Sequence, residues 1–130
     1  MIVADASAIV EALLRTPVAA AIEARLFRAG ETIHVPHLID LEVAQVLRRY
    51  AGRGWLAPDH CRLVLGALAD FPLTRYPHDD LVPRVWELRP NLTAYDAVYV
   101  ALAEALDAPL LTRDRRIATA PGHGAAIELV

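Results

Sequence analysis

The chain has 130 residues, of which 55% are hydrophobic, and its formal net charge at pH 7 is −3. This length predicts one domain, residues 1–130, and the hydrophobic fraction excludes a disordered chain. The charge excludes the overall basic character of many nucleic-acid-binding domains, although all 13 basic residues are arginine.

Cysteine content and hydropathy indicate the cellular environment that we expect for the protein. Cys61 is the single cysteine, which excludes an intrachain disulfide and a CxxC zinc site. No apolar run approaches the about 20 residues that a membrane-spanning helix needs. The opening residues MIVADAS lack the charged and apolar regions of a signal peptide. We therefore expect a protein of the reducing cytoplasm with no membrane association.

Two predicted strands and four predicted helices occupy the first half of the chain. The helix from Leu38 to Tyr50 has the clearest pattern, because Ile39, Val43 and Leu47 recur at helical spacing. Pro17 is typical of a first helical position. In order, the elements are strand Ile2–Ala4, helix Ser7–Arg15, a helix from Pro17 to Gly30, strand Thr32–Val35, helix Leu38–Tyr50 and helix Pro58–Ala69.

Three further strands alternate with helices in the second half. The elements are strand Leu73–Arg75, a short helix near Leu81–Leu88, a helix capped by Thr93 that runs to Leu106, strand Leu110–Thr112 and strand Ile127–Val130. Short apolar strands that alternate with helices are typical of a parallel sheet covered on both faces. The chain therefore predicts an α/β fold with a short, mostly parallel central sheet of about five strands.

Four acids stand at positions that such a sheet brings together. Asp5 and Asp114 each follow an apolar run, Asp96 lies in the first turn of an apolar helix, and Glu42 borders a helical apolar stripe. The crevice beyond the carboxyl ends of the strands is the usual functional site of open α/β sheets. Carboxylates in one crevice repel each other unless a cation neutralises them. Oxygen ligands favour Mg²⁺ or Mn²⁺ over zinc.

Each acid also has an ordinary structural interpretation. Asp5 and Ser7 suit a helix N-cap, and Thr93 and Asp96 have the spacing of a capping box. A capping role is compatible with a metal site, because the positive end of the helix dipole favours a charged carboxylate.

Spacing leaves other choices open. Asp40 and Glu42 border the same apolar stripe, and spacing does not choose between them. Asp114 sits among arginines, as in a surface ion-pair cluster. His34 and His37 are more typical of ordinary loop histidines than of a zinc site. The basic clusters that suit phosphate contacts are Arg48, Arg49 and Arg53, and Arg113, Arg115 and Arg116.

Four segments carry a resemblance to a known family. They are IVADASAIVEALL, IDLEVAQVLRR, LTAYDAVYVALAEAL and APLLTRD. In this order they resemble the PIN-domain ribonucleases of the VapC-like toxin family, which act in type II toxin–antitoxin systems. The resemblance implies a three-layer, Rossmann-like PIN fold, and it selects Glu42 over Asp40. It assigns metal binding and catalysis to Asp5, Glu42, Asp96 and Asp114, and a supporting role to the hydroxyls of Ser7 and Thr112.

The resemblance also implies an activity and partners. These are Mg²⁺- or Mn²⁺-dependent endoribonuclease activity, homodimerisation, and a cognate antitoxin that inserts into the active-site groove. We expect in-line attack by metal-activated water to leave a 5′-phosphate and a 3′-hydroxyl. The expected RNA phosphate contacts are Arg48, Arg49, Arg113, Arg115 and Arg116. One departure is Arg115-Arg116-Ile117, where many members place an aromatic residue.

Two alternatives use the same fold. One is a non-catalytic module that binds RNA or protein, and the other is a structure-specific DNA nuclease. Measurement of Mn²⁺ binding distinguishes the first from a nuclease, and parallel cleavage of RNA and DNA distinguishes the second.

Overall fold

The five strands form one sheet in which every pairing is parallel. The computed structural model describes all 130 residues. The strand order is β3-β2-β1-β4-β5. The strands are β1 Ile2–Ala4, β2 Ile33–Pro36, β3 Leu73–Tyr76, β4 Leu110–Thr112 and β5 Ile127–Leu129. The predicted α/β architecture is confirmed.

Seven helices connect and cover the strands. They are α1 Ala6–Leu14, α2 Ala19–Leu26, α3 Ile39–Gly52, α4 Pro58–Asp70, α5 Val82–Glu87, α6 Ala94–Leu106 and α7 Arg115–Thr119. Helices α1 to α4 pack against one another, whereas α6 packs on β1, β2 and β4 and carries α5 on its outer side. The fold is therefore a three-layer arrangement with helices on both faces of the sheet.

The helix α7 was not predicted from the sequence. The stretch after Asp114 is rich in arginine and too short for a recognisable apolar period. In the structure, the Asp114 side chain caps α7 by accepting a hydrogen bond from the Arg116 backbone N–H at 2.8 Å. Ile117 then anchors the helix in the core, where only 1% of its surface is exposed.

The central strands and α6 form the most deeply buried part of the core. All residues of β1 and β4 are buried, as is the run from Ala97 to Ala103 in α6. A strand buried on both faces has a nearly continuous run of apolar residues rather than an alternation of apolar and polar ones. The segments IVA of β1 and LLT of β4 have this pattern.

The strand order places a crevice at the carboxyl ends of the neighbouring strands β1 and β4. The connections run outward from β1 in one direction through β2 and β3, and in the other direction from β4 to β5. The direction in which successive strands are added to the sheet therefore reverses between β1 and β4, and a cleft lies beyond their carboxyl ends at this switch point. Asp5 directly follows β1, and Asp114 lies two residues beyond β4.

His34 has a structural role within β2. Its ring is buried and makes hydrogen bonds with the Thr32 hydroxyl at 2.8 Å and the Tyr76 hydroxyl at 2.7 Å. Burial lowers the pKa of His34, so the ring is held neutral. His37 is exposed just beyond the strand.

No helix in this fold has the length and hydropathy required to span a bilayer.

Tyr76→Phe tests the contribution of this hydrogen-bond network. The change leaves one ring nitrogen of the buried His34 without a partner, so we expect the free energy of unfolding to fall by about 1–2 kcal/mol. Urea unfolding measures the difference. Tyr95→Phe is the control, because it removes the same atom from a side chain that is 64% exposed. Equal effects of the two substitutions would contradict a structural role for the network.

Candidate functional site

All four sequence-predicted acids line one pocket at the switch point. Its volume is about 550 Å³. Asp5, Glu42, Asp96 and Asp114 come from four separate places in the fold: the end of β1, helix α3, helix α6 and the start of α7. Asp40, the alternative to Glu42, does not line the pocket and is paired instead with Arg75 through hydrogen bonds of 2.9 and 2.8 Å.

Asp5 is the most deeply buried of the four acids, with 5% of its surface exposed. It is the N-cap of α1, because one carboxylate oxygen accepts a hydrogen bond from the Ala8 backbone N–H at 3.1 Å. The same oxygen accepts from the Ser7 hydroxyl at 2.6 Å, and the other oxygen accepts from the Thr112 hydroxyl. The helix-capping and site interpretations of Asp5 are thus both compatible with its position.

The two hydroxyls connect β1 to β4. Ser7 Oγ accepts a hydrogen bond from the Arg113 backbone N–H at 2.9 Å, and Thr112 Oγ1 accepts one from the Asp114 backbone N–H at 2.9 Å. Each hydroxyl therefore donates to Asp5 and accepts from the segment that follows β4. This arrangement fixes Asp5 relative to the segment that carries Asp114.

Burial opposes the charged form of Asp5. It raises the pKa of Asp5 above its ordinary value, although hydrogen bonds from Ser7, Thr112 and Ala8 favour the carboxylate and partly offset the effect. The neighbouring charge of Asp96 raises this pKa further.

Glu42 is the least well partnered of the acids. Its Oε1 atom is buried and has no hydrogen-bond partner of good geometry. Burial raises the pKa of Glu42 to about 7, the nearby Tyr99 hydroxyl partly opposes the rise, and the charges of Asp96 and Asp5 add to it. A carboxyl with this pKa is partly protonated at neutral pH, and a cation in the pocket would favour its ionised form.

Asp96 projects into the pocket from the first turn of α6. Thr93 caps the helix, and its hydroxyl accepts a hydrogen bond from the Asp96 backbone N–H at 3.2 Å. Burial raises the pKa of Asp96, and the charge of Asp114 adds to the rise. The Thr93 cap expected from the sequence is therefore present without excluding Asp96 from the pocket.

Asp114 differs from the other three acids because it has a cationic partner. The Arg116 guanidinium donates to one carboxylate oxygen at 3.1 Å and to the other at 2.7 Å. These bonds lower the pKa of Asp114 below its ordinary value. The Arg116 side chain is 83% exposed, so solvent screens the pair and the guanidinium has room to move away.

The donor set suits a hard divalent cation, but its geometry is not that of a finished metal site. No three histidine, cysteine, aspartate or glutamate side chains are placed to hold one ion. The anionic groups that line the pocket are nevertheless all carboxylates, no histidine or cysteine lines it, and one Glu42 oxygen is buried and unpartnered. Oxygen donors of this kind are the ligands that Mg²⁺ and Mn²⁺ prefer.

The arginines separate into three groups. Arg49 lines the acidic pocket, and it also lines a smaller adjoining cavity of about 170 Å³ together with Arg113. Arg113 lies 3.5 Å from Glu11 in a partial ion pair. Arg116 binds Asp114, as described above. Arg48 and Arg115 are exposed and line neither cavity.

The pocket also contains two tyrosines that the sequence analysis did not select. Tyr95 precedes Asp96 and is 64% exposed, whereas Tyr99 is one helical turn beyond Asp96 and only 1% exposed. Residues at i and i+3 share a helix face, so the spacing from Asp96 to Tyr99 was a usable signal.

The parallel sheet and its acidic switch-point pocket define a Rossmann-like α/β protein of the PIN type. The PIN domain model matches residues 2–122, and the chain belongs to this family. A VapC ribonuclease of Mycobacterium bovis is 49% identical over 117 residues, which are 90% of this chain and 88% of that protein. Ribonuclease VapC12 of Mycobacterium tuberculosis is 42% identical over 130 residues, which are 100% of this chain and 99% of that protein.

Solved structures agree with the fold. VapBC2 from Rickettsia felis, bound to a DNA fragment from its promoter, superposes with a TM-score of 0.73 at 16% identity and covers 99% of this chain and 98% of the matched chain. The crystal structure of PAE2754 from Pyrobaculum aerophilum gives a TM-score of 0.68 at 26% identity. The match covers 97% of this chain and 81% of that chain.

The raised pKa of Glu42 predicts a pH dependence of stability. Below pH 4.5 this carboxyl is protonated in both the folded and the unfolded state. As the pH rises towards 7, the unfolded chain ionises first and the metal-free fold loses stability. We expect Glu42→Gln to stabilise the metal-free protein at pH 8 by on the order of 2 kcal/mol, since one pKa unit is about 1.4 kcal/mol and solvent screens part of the effect.

Urea unfolding in EDTA at pH 4 and pH 8 measures this effect. The difference between Glu42→Gln and the wild type should vanish at pH 4. Asp40→Asn is the control on the same helix, and it should not stabilise the fold because Arg75 loses its partner. A pH-independent effect of Glu42→Gln would show that the wild-type carboxyl ionises normally.

Proposed function

We propose that this protein is an endoribonuclease toxin of the VapC type, with an active site formed by Asp5, Glu42, Asp96 and Asp114. The observation that carries the proposal is the meeting of these acids in one pocket from four separate elements. Relatives at 42–49% identity over most of the chain bear the name ribonuclease, which supports RNA as the substrate.

The four acids are the proposed ligands of Mg²⁺ or Mn²⁺. When bound, the ion supplies Lewis-acid catalysis and lowers the pKa of water for in-line attack on the phosphodiester, which leaves a 5′-phosphate and a 3′-hydroxyl. Asp5 is the most rigid ligand, because Ser7 and Thr112 hold both of its oxygens. These hydroxyls thus orient the carboxylate, as outer-shell partners of metal ligands commonly do.

Arg116 has two proposed roles. In the structure it neutralises Asp114. Asp114 binds a cation only after this guanidinium moves away, which its exposure permits. The released side chain then lies next to the site and is available for an RNA phosphate. A guanidinium can donate two parallel hydrogen bonds to one phosphate.

The remaining phosphate contacts are proposed to follow the second cavity. Arg49 and Arg113 line it directly beside the acidic pocket, so RNA that crosses both cavities places neighbouring phosphates against these side chains. Arg48 and Arg115 lie outside and offer weaker, longer-range attraction. Neutralisation of phosphates by arginine makes binding sensitive to salt.

The proposed partners and setting follow from the family. An antitoxin partner is supported by the VapBC2 complex of Rickettsia felis. We further propose that residues 1–130 act as one PIN domain, that two copies form a homodimer, and that the toxin acts in the cytoplasm.

Substitution of the acids tests the active site. Asp5→Asn and Asp96→Asn keep the side-chain shape but remove a charge, so we expect RNA cleavage to fall by at least about 10²-fold. Glu42→Gln should cause a comparable loss, whereas its matched control Asp40→Asn should retain activity. Cleavage of labelled RNA with Mn²⁺ or Mg²⁺ measures these rates, and EDTA should abolish them.

The same assay separates the alternatives. A parallel series on DNA oligonucleotides should show little cleavage, and preferential cleavage of DNA would identify a DNA nuclease. If wild type and Asp5→Asn cleave RNA equally with the same metal dependence, the assignment of the active site is wrong.

Arg49 and Arg48 offer a matched test of the RNA path. Arg49→Gln removes a cation from the pocket wall, so we expect RNA binding to weaken several-fold and the slope of log K against log salt to fall by about 0.7. Arg48→Gln removes the same charge one residue away and should have a smaller effect. Filter binding of an uncleaved RNA to Asp5→Asn protein at several salt concentrations provides the measurement. A larger effect at Arg48 would contradict the proposed path.

A further inference from the structure

Tyr99 places a buried hydroxyl in the acidic pocket without a hydrogen-bond partner. Its side chain is among the largest that are fully buried, with 1% exposure, and it lines the pocket beside Glu42, Asp5 and Asp96. The hydroxyl makes no hydrogen bond of good geometry. Buried polar groups are nearly always paired, so an unpaired phenol at this place requires an explanation.

Glu42 has an unpaired hydrogen-bond acceptor that complements the unpaired Tyr99 donor. Its Oε1 atom is buried and unpaired in the same pocket. Both residues line this pocket, and their oxygens are two of the four buried side-chain atoms that lack a hydrogen-bond partner. A phenol donor and a carboxylate acceptor that are both unsatisfied can satisfy each other after a small adjustment of either side chain.

Two other hydroxyls beside the acids already make hydrogen bonds to Asp5. Those of Ser7 and Thr112 both donate to Asp5. A tyrosine phenol is protonated at neutral pH, so the Tyr99 hydroxyl is available as a donor. Gln45 and Tyr95 also line the pocket but are exposed to solvent, so Tyr99 is the neutral donor in the pocket that is both buried and unpaired.

We propose that Tyr99 is a positioning residue, whose hydroxyl donates a hydrogen bond to the Glu42 carboxylate and holds it ready for the divalent cation. The proposal rests on the proposed metal-dependent function of the pocket. It assigns to Tyr99 no contact with RNA and no proton transfer. Its role for Glu42 parallels that of Ser7 and Thr112 for Asp5.

Tyr99→Phe tests the proposal, with Mn²⁺ as the probe. The metal-free wild type gains little from an unpaired hydroxyl, so the variant should unfold at nearly the same temperature in EDTA. Its Mn²⁺ affinity, measured by calorimetry, should fall about tenfold, as is common when an outer-shell partner is removed. The increase in melting temperature on Mn²⁺ addition should shrink accordingly. The KM for RNA should stay unchanged, and saturating Mn²⁺ should restore most of the cleavage rate.

Tyr76→Phe is the matched control, because it removes a tyrosine hydroxyl that is bonded to His34 away from the pocket. It should show the opposite pattern, with lower metal-free stability and unchanged Mn²⁺ affinity. If Tyr99→Phe behaves like Tyr76→Phe, the Tyr99 hydroxyl is structural and the inference is wrong.

A double-mutant cycle tests whether Tyr99 acts through Glu42. The Mn²⁺ affinity of the Tyr99→Phe/Glu42→Gln double variant should equal that of Glu42→Gln alone, because the hydroxyl then has no carboxylate to position. Additive losses would overturn the inference while leaving the metal site intact. Failure of the proposed function has a separate signature, which is wild-type Mn²⁺ affinity in Asp5→Asn.

Discussion

The hydrogen bonds that hold Asp5 between β1 and β4 are the constraint on which the site depends. Ser7 and Thr112 donate to its two oxygens and accept backbone N–H groups from the segment after β4. Because each hydroxyl both donates and accepts, Asp5 is linked to both of the paired strands, β1 and β4, whose carboxyl ends border the crevice. The position of Asp114 relative to Asp5 is thereby set by backbone hydrogen bonds rather than by flexible side chains.

The acids that share this crevice are electrostatically unequal. Burial raises the pKa values of Asp5, Glu42 and Asp96, whereas Arg116 lowers that of Asp114. In the absence of a cation, the raised pKa values favour the protonated form of three carboxyls, and the Arg116 guanidinium neutralises Asp114. Both effects reduce the negative charge of the pocket. A divalent ion at the proposed site would displace both, and its binding would then be coupled to proton release and to movement of Arg116. The same coupling connects the local chemistry to the stability of the fold.

Neighbouring residues of one type have different environments in this fold. Asp40 and Glu42 lie two positions apart on α3, yet one pairs with Arg75 and the other lines the pocket. Arg48 and Arg49 are adjacent, and only Arg49 reaches the cavities. Positions one or two apart on a helix point about 100° or 200° away from each other, so a single apolar stripe could not assign them. The resemblance to a family selected Glu42, and the packing of α3 against α1 and α4 gives the physical reason.

The sequence alone determined the α/β class, the order of the strands and most of the helices, and the candidacy of Asp5, Asp96 and Asp114, because apolar runs, caps and strand-end polar residues are local signals. It did not reveal α7, since that helix depends on the Asp114 cap and on burial of Ile117. Only the tertiary structure decided that His34 is structural, that Arg116 neutralises Asp114, and that Tyr99 shares the pocket with Glu42. Each of these is a contact between segments distant in the chain or a side-chain orientation, and local patterning carries no information about either.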